Sequence, residues 1–206
     1  MNTAPCTPTA ELVQAACEEF DRENLIVEQA LKELFSQYPA NSYHPHVLLK
    51  VVALNRLYST QIFAVYDVAR NIFQQAQDVD RALAIGSPEI VDKIAKVTIS
   101  ATGKERTNYS FATKYCSWHN PAKYPIWDSR VDRYLRSLKQ TPFATFLSAN
   151  SYLWDYYQEF VRIMSDFRDF YRLGSFTFKE IDKFLWSQGA APDKTNRPVR
   201  TEKSGT

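Results

Sequence analysis

The sequence contains 206 residues, of which 45% are hydrophobic and 14% aromatic, with five glycines. This composition excludes an intrinsically disordered or collagen-like chain, and no apolar run is long enough to cross a bilayer. The N-terminus, MNTAPCTPTAEL, lacks the basic and apolar regions of a signal peptide, so we expect a cytoplasmic protein that does not associate with membranes.

The net charge of +2 conceals an uneven distribution of charge along the chain. Residues 1–40 carry seven acidic and two basic side chains, whereas residues 101–140 carry eight basic and three acidic ones. Two interpretations fit the basic segment: scattered cations on a solvated surface, or a patch that faces phosphate groups. The second interpretation favours a nucleic acid as the partner.

The first helix is predicted from Ala10 to Tyr38, because apolar residues recur there at helical spacing until Pro39. A nearly continuous apolar run from Pro45 to Tyr58 predicts a second helix in the core. A third helix is expected to begin after Ser59 or Thr60, since either hydroxyl can cap the free backbone N–H groups of a first turn. The polar break between the second and third helices is expected to point polar side chains inward.

The middle of the chain predicts two short helices, a loop and a longer helix. Asp78 to Ala84 is a short helix or turn, and Glu89 to about Val97 is a second one that follows the start signal Ser87-Pro88. The polar, glycine-containing segment Ile99 to Asn108 is interpreted as a loop. Helical spacing resumes from Tyr109 to His119 and ends at an Asn-Pro pair.

The next helix has a natural N-cap in Asp128 or Ser129, because short polar side chains accept hydrogen bonds from free N–H groups. Pro142 begins a turn and a short helix. A long aromatic-rich helix is predicted from Ser151 to Leu173, closed by Gly174 in the left-handed conformation that often ends a helix.

A last helix is predicted from Phe176 to Gln188, and the residues from Ala190 onward are expected to form a mobile basic tail. The sequence shows no convincing strand pairs and no internal repeat. The fold class is therefore all-α, with a single domain over residues 1–189 that contains eight to ten helices, followed by the tail at 190–206. We expect this domain to be a monomer.

The order of these elements resembles the helix-hairpin-helix DNA glycosylase superfamily, in particular its 8-oxoguanine DNA glycosylase branch. The clearest match is the segment PIWDSRVDRYL, in which Asp128 stands where that family has its catalytic aspartate. The resemblance extends over residues 45–138, nearly half of the chain. It implies a compact multi-helix glycosylase-like domain that binds double-stranded DNA and acts on a flipped base.

Two departures from the family pattern precede the aspartate. The family's Gly-x-Gly hairpin, whose backbone approaches a phosphate, has no counterpart in Arg106-Thr107-Asn108-Tyr109. We expect Arg106 to supply charge instead and Asn108 to adopt the left-handed conformation. The nucleophilic lysine of bifunctional members is replaced by Ser110, and Lys114 lies one helical turn later.

We therefore expect Lys114 to contact phosphate or solvent, with a reach into the pocket near Ser110 as the alternative. The expected contacts to the DNA backbone are Arg106, Asn108, Ser110, Lys114 and Arg130. Without a lysine nucleophile, the role implied for Asp128 is hydrolytic: it stabilises the positive charge that develops on the sugar and orients or deprotonates a water. The alternative role is helix capping alone, and the two roles are compatible.

A flipped base has to be held by stacking and by hydrogen bonds to its edge. The candidates combine residues of the polar break with residues near the aspartate: Asn55, Tyr58, Ser59, Tyr115, Trp118, His119 and Trp127. For the two tryptophans the alternative is a place in the core. For the histidine the alternative is a hydrogen bond to free carbonyls at the end of its helix.

No metal or cofactor is expected. Cys6, Cys17 and Cys116 have unrelated spacings, which give neither a disulfide framework nor a CxxC pattern. Cys116 and His119 supply only two of the four ligands that a closed metal site needs. Gly-rich phosphate loops and the GxSxG and HExxH motifs are missing from the sequence.

The sequence thus predicts a DNA glycosylase that excises a damaged or modified base through water attack assisted by Asp128. The loss of the usual hairpin suggests an unusual substrate, such as a modified base in foreign DNA. The alternative is a non-catalytic nucleic-acid-binding protein that retains the fold. An open pocket beside Asp128 favours the enzyme, and a carboxylate sealed against its own helix favours the binder. A small α-helical RNase ranks below both, because an Arg-x4-His pairing is missing.

Overall fold

Nine α-helices make up most of the chain that the computed structural model describes, residues 6–143 and 157–190. In chain order they are α1 (Ala10–Gln37), α2 (His44–Leu57), α3 (Val65–Gln74), α4 (Ala76–Ile85), α5 (Glu89–Ala95), α6 (Tyr109–His119), α7 (Ser129–Ser137), α8 (Tyr157–Phe170) and α9 (Phe178–Gln188). The predicted all-α fold is confirmed. Within the described residues no helix is long and apolar enough to span a membrane.

A two-stranded hairpin joins α5 to α6, where the sequence predicted the end of a helix and a loop. Strand β1 (Lys96–Thr98) pairs antiparallel with β2 (Glu105–Thr107), so the expectation of no strand pairs is wrong. The turn is closed by the amide of Gly103, which donates to the carbonyl of Ile99 at 2.8 Å, with the glycine at a φ of +65°. Strands of three residues are too short to produce a recognisable alternation of apolar and polar residues.

The loop between α2 and α3 is longer than predicted, because α3 begins at Val65. The expected caps, Ser59 and Thr60, do not cap it. The side chain of Asn55 holds this loop instead. Its Nδ2 donates to the carbonyl of Ile62 at 2.9 Å, and its Oδ1 accepts from the amide of Ile62 and the hydroxyl of Thr60, each at 2.9 Å. Ser59 and Gln61 both take positive φ angles, 49° and 57°. The polar break is therefore a folded turn.

The C-terminal helices follow the prediction with one correction. The left-handed residue after α8 is Arg172, at a φ of 56°, and Gly174 does not have that conformation. Helix α9 begins at a capping box, in which Thr177 and Glu180 bond each other's backbone amides. The short helix expected near Pro142, the start of the helix expected from Ser151 and most of the tail lie outside the described residues.

Helix α6 lies at the centre of the core, with every residue from Tyr109 to Ser117 buried except Ser110. It packs against α5, α2 and α1, and α9 packs against α1 and α7. As a result, the first turns of α6 and α7, the loop after α2 and one face of α9 surround a common space. Ser110, a partly exposed position in the first turn of α6, lines that space.

Candidate functional site

A cavity of about 620 Å³ lies between α1, the loop after α2, α6, α7 and α9. We call it the aspartate cavity, after Asp128. Its volume is within the range typical of small-molecule sites. The residues that line it are Phe20, Asn24, Val27, Glu28, Leu57, Tyr58, Ser59, Thr60, Gln61, Ser110, Lys114, Trp127, Asp128, Ser129, Arg130, Asp182 and Trp186.

Asp128 caps α7 and also faces the aspartate cavity. Its Oδ1 accepts from the backbone amides of Arg130 at 2.9 Å and Val131 at 3.0 Å, which confirms the predicted N-cap. Its Oδ2 lies 3.3 Å from Nζ of Lys114. The residue is 8% exposed. One oxygen is thus fixed by the helix, and the other is directed to the cavity.

Lys114 is buried in the same cavity, with 7% of its surface exposed. Its Nζ donates to Oγ of Ser110 at 3.0 Å and forms a salt bridge with Asp128. A contact with a DNA phosphate or with bulk solvent was expected for this lysine, and its burial corrects that expectation. The side chain runs back along α6 by one turn, so its ammonium reaches the position of Ser110.

The segment that carries Asp128 is fixed to α6 by a residue that sequence reasoning missed. Thr113 accepts from the amide of Trp127 and donates to its carbonyl, both at 3.1 Å. The buried side chain of Thr113 therefore pairs with both backbone polar groups of Trp127, as a neighbouring strand would do in a sheet. Upstream, the hydroxyl of Tyr124 lies 2.9 Å from the carbonyl of Ala82. The only sign of this contact in the sequence was Thr113, a polar residue at a buried position of α6.

Asp182 was also missed by the sequence reasoning. It lies on α9 and lines the aspartate cavity, and its Oδ1 is buried without a hydrogen-bond partner among the described residues. Burial, and then the charge of Asp128, raise the pKa of the Asp182 carboxyl well above its ordinary value. The available signal was the spacing Phe178, Asp182, Trp186, which places an acid on one apolar face of the last helix.

The aromatic part of the cavity wall contains two of the predicted pocket residues, Tyr58 and Trp127, together with Trp186. The guanidinium of Arg130 lies 3.8 Å from the ring centre of Trp186, an arrangement typical of a cation–π contact. The hydroxyl of Tyr58 donates to Glu28. Burial raises the pKa of this phenol, so it stays protonated.

Four predicted pocket residues lie elsewhere. Asn55 holds the loop after α2, as described above, and Tyr115 is fully buried in the core. Trp118 and His119 line a second cavity of about 520 Å³, which we call the histidine cavity. The prediction that these residues share one base pocket with Tyr58 and Trp127 is therefore wrong. Helix α6 presents Ser110 and Lys114 on one side and His119 on another.

His119 lies at the end of α6 with its Nε2 3.3 Å from Nζ of Lys50. Burial, and then the charge of that lysine, lower the pKa of His119 to about 3. The imidazole is therefore neutral at physiological pH, and its Nε2 lies beside the ammonium. This is a contact with a buried lysine and not the expected capping of carbonyls.

The remaining predicted DNA contacts are spread over two places. Ser110 and Arg130 line the aspartate cavity, whereas Arg106 is exposed on β2. Asn108 has a φ of −102°, so the expected left-handed conformation is wrong. Within the part of the chain that the structure describes, no group of three His, Cys, Asp or Glu side chains could hold a metal ion.

The fold and the site define an all-α protein in which a buried ammonium–carboxylate pair lines a cavity that is open to solvent. The chain belongs to the HI_0787_N family, whose model is described as an N-terminal domain and matches residues 12–123. A protein from Haemophilus influenzae (strain ATCC 51907 / DSM 11121 / KW20 / Rd), described as an uncharacterized protein, is 40% identical over 136 residues. That match covers 66% of this chain and 62% of the relative. No solved structure matches the chain.

Proposed function

We propose that the protein is a DNA glycosylase, which hydrolyses the bond between a damaged or modified base and its sugar in the aspartate cavity. The observation that carries the proposal is the environment of Asp128, whose Oδ2 faces both Lys114 and the cavity while Oδ1 is held by two amides. Such fixed carboxylates stabilise positive charge without reorganising during the reaction.

The chemistry of N-glycosidic cleavage fits this environment. Positive charge develops on the sugar as the bond to the base breaks, and a carboxylate nearby stabilises that charge. The same carboxylate orients a water for attack on the anomeric carbon and accepts its proton. Lys114 keeps Oδ2 directed to the cavity through the 3.3 Å contact.

The walls of the cavity support a flipped base as the ligand. Trp127, Trp186 and Tyr58 supply flat rings for stacking, and Asn24 and Glu28 supply polar atoms for a base edge. The loop at Ser59 and Gln61, which has two strained backbone angles, lines the same cavity. Strain of this kind is concentrated at functional sites.

The position of Lys114 favours a second candidate function, a combined glycosylase and lyase. Its Nζ lies 3.0 Å from the hydroxyl of Ser110, the residue that the resemblance aligns with the nucleophilic lysine. An amine there reaches the same reacting carbon after transfer of its proton to Asp128. The amine then bonds to the anomeric carbon as the base leaves with the electron pair of the broken bond and takes up a proton, and opening of the sugar ring gives a Schiff base in place of hydrolysis.

The experiment is a panel of duplexes, each with one uracil, hypoxanthine, 8-oxoguanine, 7-methylguanine or 5-hydroxymethylcytosine. Free base is measured by mass spectrometry and abasic sites by alkaline cleavage of the strand. We expect at least one base to be released by the wild-type protein and not by Asp128→Asn. Release at equal rates by both proteins contradicts the role of Asp128.

Two further readouts separate the candidates. Reduction with borohydride during the reaction traps a covalent protein–DNA adduct if Lys114 attacks the sugar, and yields none if water does. Duplex binding without release of any base from the panel, in a gel-shift assay at defined salt concentration, favours the non-catalytic binder instead.

A further inference from the structure

Asp182 occupies an unusual position for a carboxyl group. It lies on α9 in the wall of the aspartate cavity, and its Oδ1 is buried without a hydrogen-bond partner among the residues that the structure describes. A buried polar atom left without a partner destabilises a fold. An apolar residue of similar size would avoid that cost, so the carboxyl points to a function in the cavity.

The charges around Asp182 act in both directions. Asp128 at the start of α7 and Glu28 on α1 raise its pKa, while Lys114 on α6 and Lys179 on α9 lower it. Two phenols also interact electrostatically with it, those of Tyr58 and Tyr157. Burial is the largest influence and the net direction is upward, which favours the protonated form of the carboxyl.

The two carboxyl groups of the cavity differ in their surroundings. Asp128 accepts hydrogen bonds from two backbone amides and pairs with an ammonium. Asp182 has no such donor on Oδ1 among the described residues. Two carboxyls in one cavity, one held by three donors and the other buried without a donor on Oδ1 among the described residues, suit the roles of base and acid.

We propose that Asp182 is the general acid of the reaction, donating its proton to the departing base while Asp128 acts on the sugar and the water. This inference rests on the proposed function and adds a second catalytic residue to it. A proton on the base neutralises the negative charge that the base would otherwise carry away. General acids of this type contribute about 10²- to 10⁴-fold in rate.

The proposed step is balanced in atoms and electrons. The bond between the anomeric carbon and the base nitrogen breaks, its electron pair stays on the base, and the base takes the proton of Asp182. Water bonds to the anomeric carbon and gives one proton to Asp128. Exchange with solvent then returns a proton to Asp182 and removes one from Asp128, which restores the starting state.

The kinetic test uses Asp182→Asn, with Asp182→Glu as the conservative variant. The matched control is Asp78→Asn, at a surface position on α4 whose side chain is 67% exposed. For the neutral bases of the panel, we expect Asp182→Asn to slow release by at least about 10²-fold. Asp182→Glu recovers part of the rate, and Asp78→Asn keeps the wild-type rate.

The dependence of the rate on pH separates an acid from a merely structural residue. The wild-type rate of release falls as pH rises through the pKa of Asp182, and the rate of Asp182→Asn lacks this decrease. A cationic base such as 7-methylguanine leaves as a neutral molecule and needs no proton, so its release changes little. An Asp182→Asn variant that retains the decrease at high pH, or slows cationic and neutral bases equally, overturns the proposal.

A second measurement reports the proton of Asp182 without any substrate. Carboxyl carbon NMR of aspartate-labelled protein identifies the Asp182 resonance by its loss in Asp182→Asn, and we expect this resonance to titrate well above the ordinary value of an aspartate. Titration near the ordinary value of an aspartate overturns the acid role, even where bases are released. If no duplex loses a base, the proposed function fails and the acid role fails with it. If bases are released but Asp182 titrates near the ordinary value, only the acid role fails.

Discussion

Two buried lysines on neighbouring helices have opposite kinds of surroundings. Lys50 of α2 is fully buried, and its Nζ donates to the carbonyls of Tyr38 and Ala40 and to Oδ1 of Asn41, at 3.0, 3.2 and 2.8 Å. Lys114 of α6 donates to Ser110 and Asp128 and faces the aspartate cavity. The ammonium of Lys50 is surrounded by acceptors of the protein itself, while the ammonium of Lys114 lies beside a cavity that can hold a ligand.

This difference shows which buried charge has a structural role. All the hydrogen atoms of the Lys50 ammonium have acceptors nearby, and those acceptors belong to the segment that links α1 to α2. Burial lowers the pKa of this lysine to about 8. We infer that Lys50 holds the connection between two helices, whereas Lys114 serves the site.

The largest expected effect separates the two lysines by activity. Lys114→Met removes the cation that orients Oδ2 of Asp128, and we expect the rate of base release to fall by about 10²-fold or more. Lys50→Met is the matched control, and the rate per folded molecule should be unchanged. Single-turnover kinetics on the panel duplexes give both rates. Equal losses of rate in both variants would contradict the separate roles of Lys114 in the site and Lys50 in the fold.

The next effect separates the lysines by stability. Lys50→Met removes the donor of two backbone carbonyls and one of the two donors to the amide oxygen of Asn41, so we expect a loss of about 3 kcal/mol in the free energy of unfolding. Lys114→Met should lose only about 1 kcal/mol, because water in the cavity can hydrate the groups that remain. Urea denaturation followed by circular dichroism measures both. A larger loss for Lys114→Met would contradict the assignment.

A smaller effect concerns His119, the neighbour of Lys50. Its pKa is about 3 in the folded protein, against an ordinary value of 6.5. Between these values the unfolded chain binds a proton that the folded protein does not, so the contribution of His119 to stability is complete above pH 6.5 and decreases as pH falls. The limiting slope is about 1.4 kcal/mol per pH unit.

The control for this pH effect is His119→Gln, because glutamine has no proton to gain in that range. The stability of the wild type relative to this variant should decrease from pH 6.5 toward pH 4 in denaturation experiments. The comparison also removes the influence of the other titratable groups, which both proteins share. A constant difference across that range would show that His119 is not buried as a neutral side chain.

The sequence was sufficient for the features that depend on local patterns. The all-α class followed from helical spacing, and the N-cap at Asp128 followed from the preference of short polar residues for helix starts. The turn held by Asn55 could not be predicted. Its bonds to Ile62 form only after the backbone adopts positive φ angles at Ser59 and Gln61.

The composition of the site depended on the direction of side chains in three dimensions. Sequence spacing placed Lys114 one turn from Ser110. It could not show that the side chain is buried, with its ammonium in the cavity. The same helix directs Trp118 and His119 to a different cavity. Asp182 comes from α9, whose packing against α1 and α7 is long-range and leaves no trace in local patterns.

The central claim is that the carboxylate of Asp128 stabilises positive charge on a sugar in the aspartate cavity. It is tested most directly by the affinity for a duplex that contains a pyrrolidine abasic nucleotide, whose ring is cationic, relative to a duplex with the neutral tetrahydrofuran nucleotide. We expect the wild type to bind the cationic duplex at least about 10²-fold more tightly, and Asp128→Asn to lose that preference. Equal affinities of the wild type for both duplexes would contradict the claim.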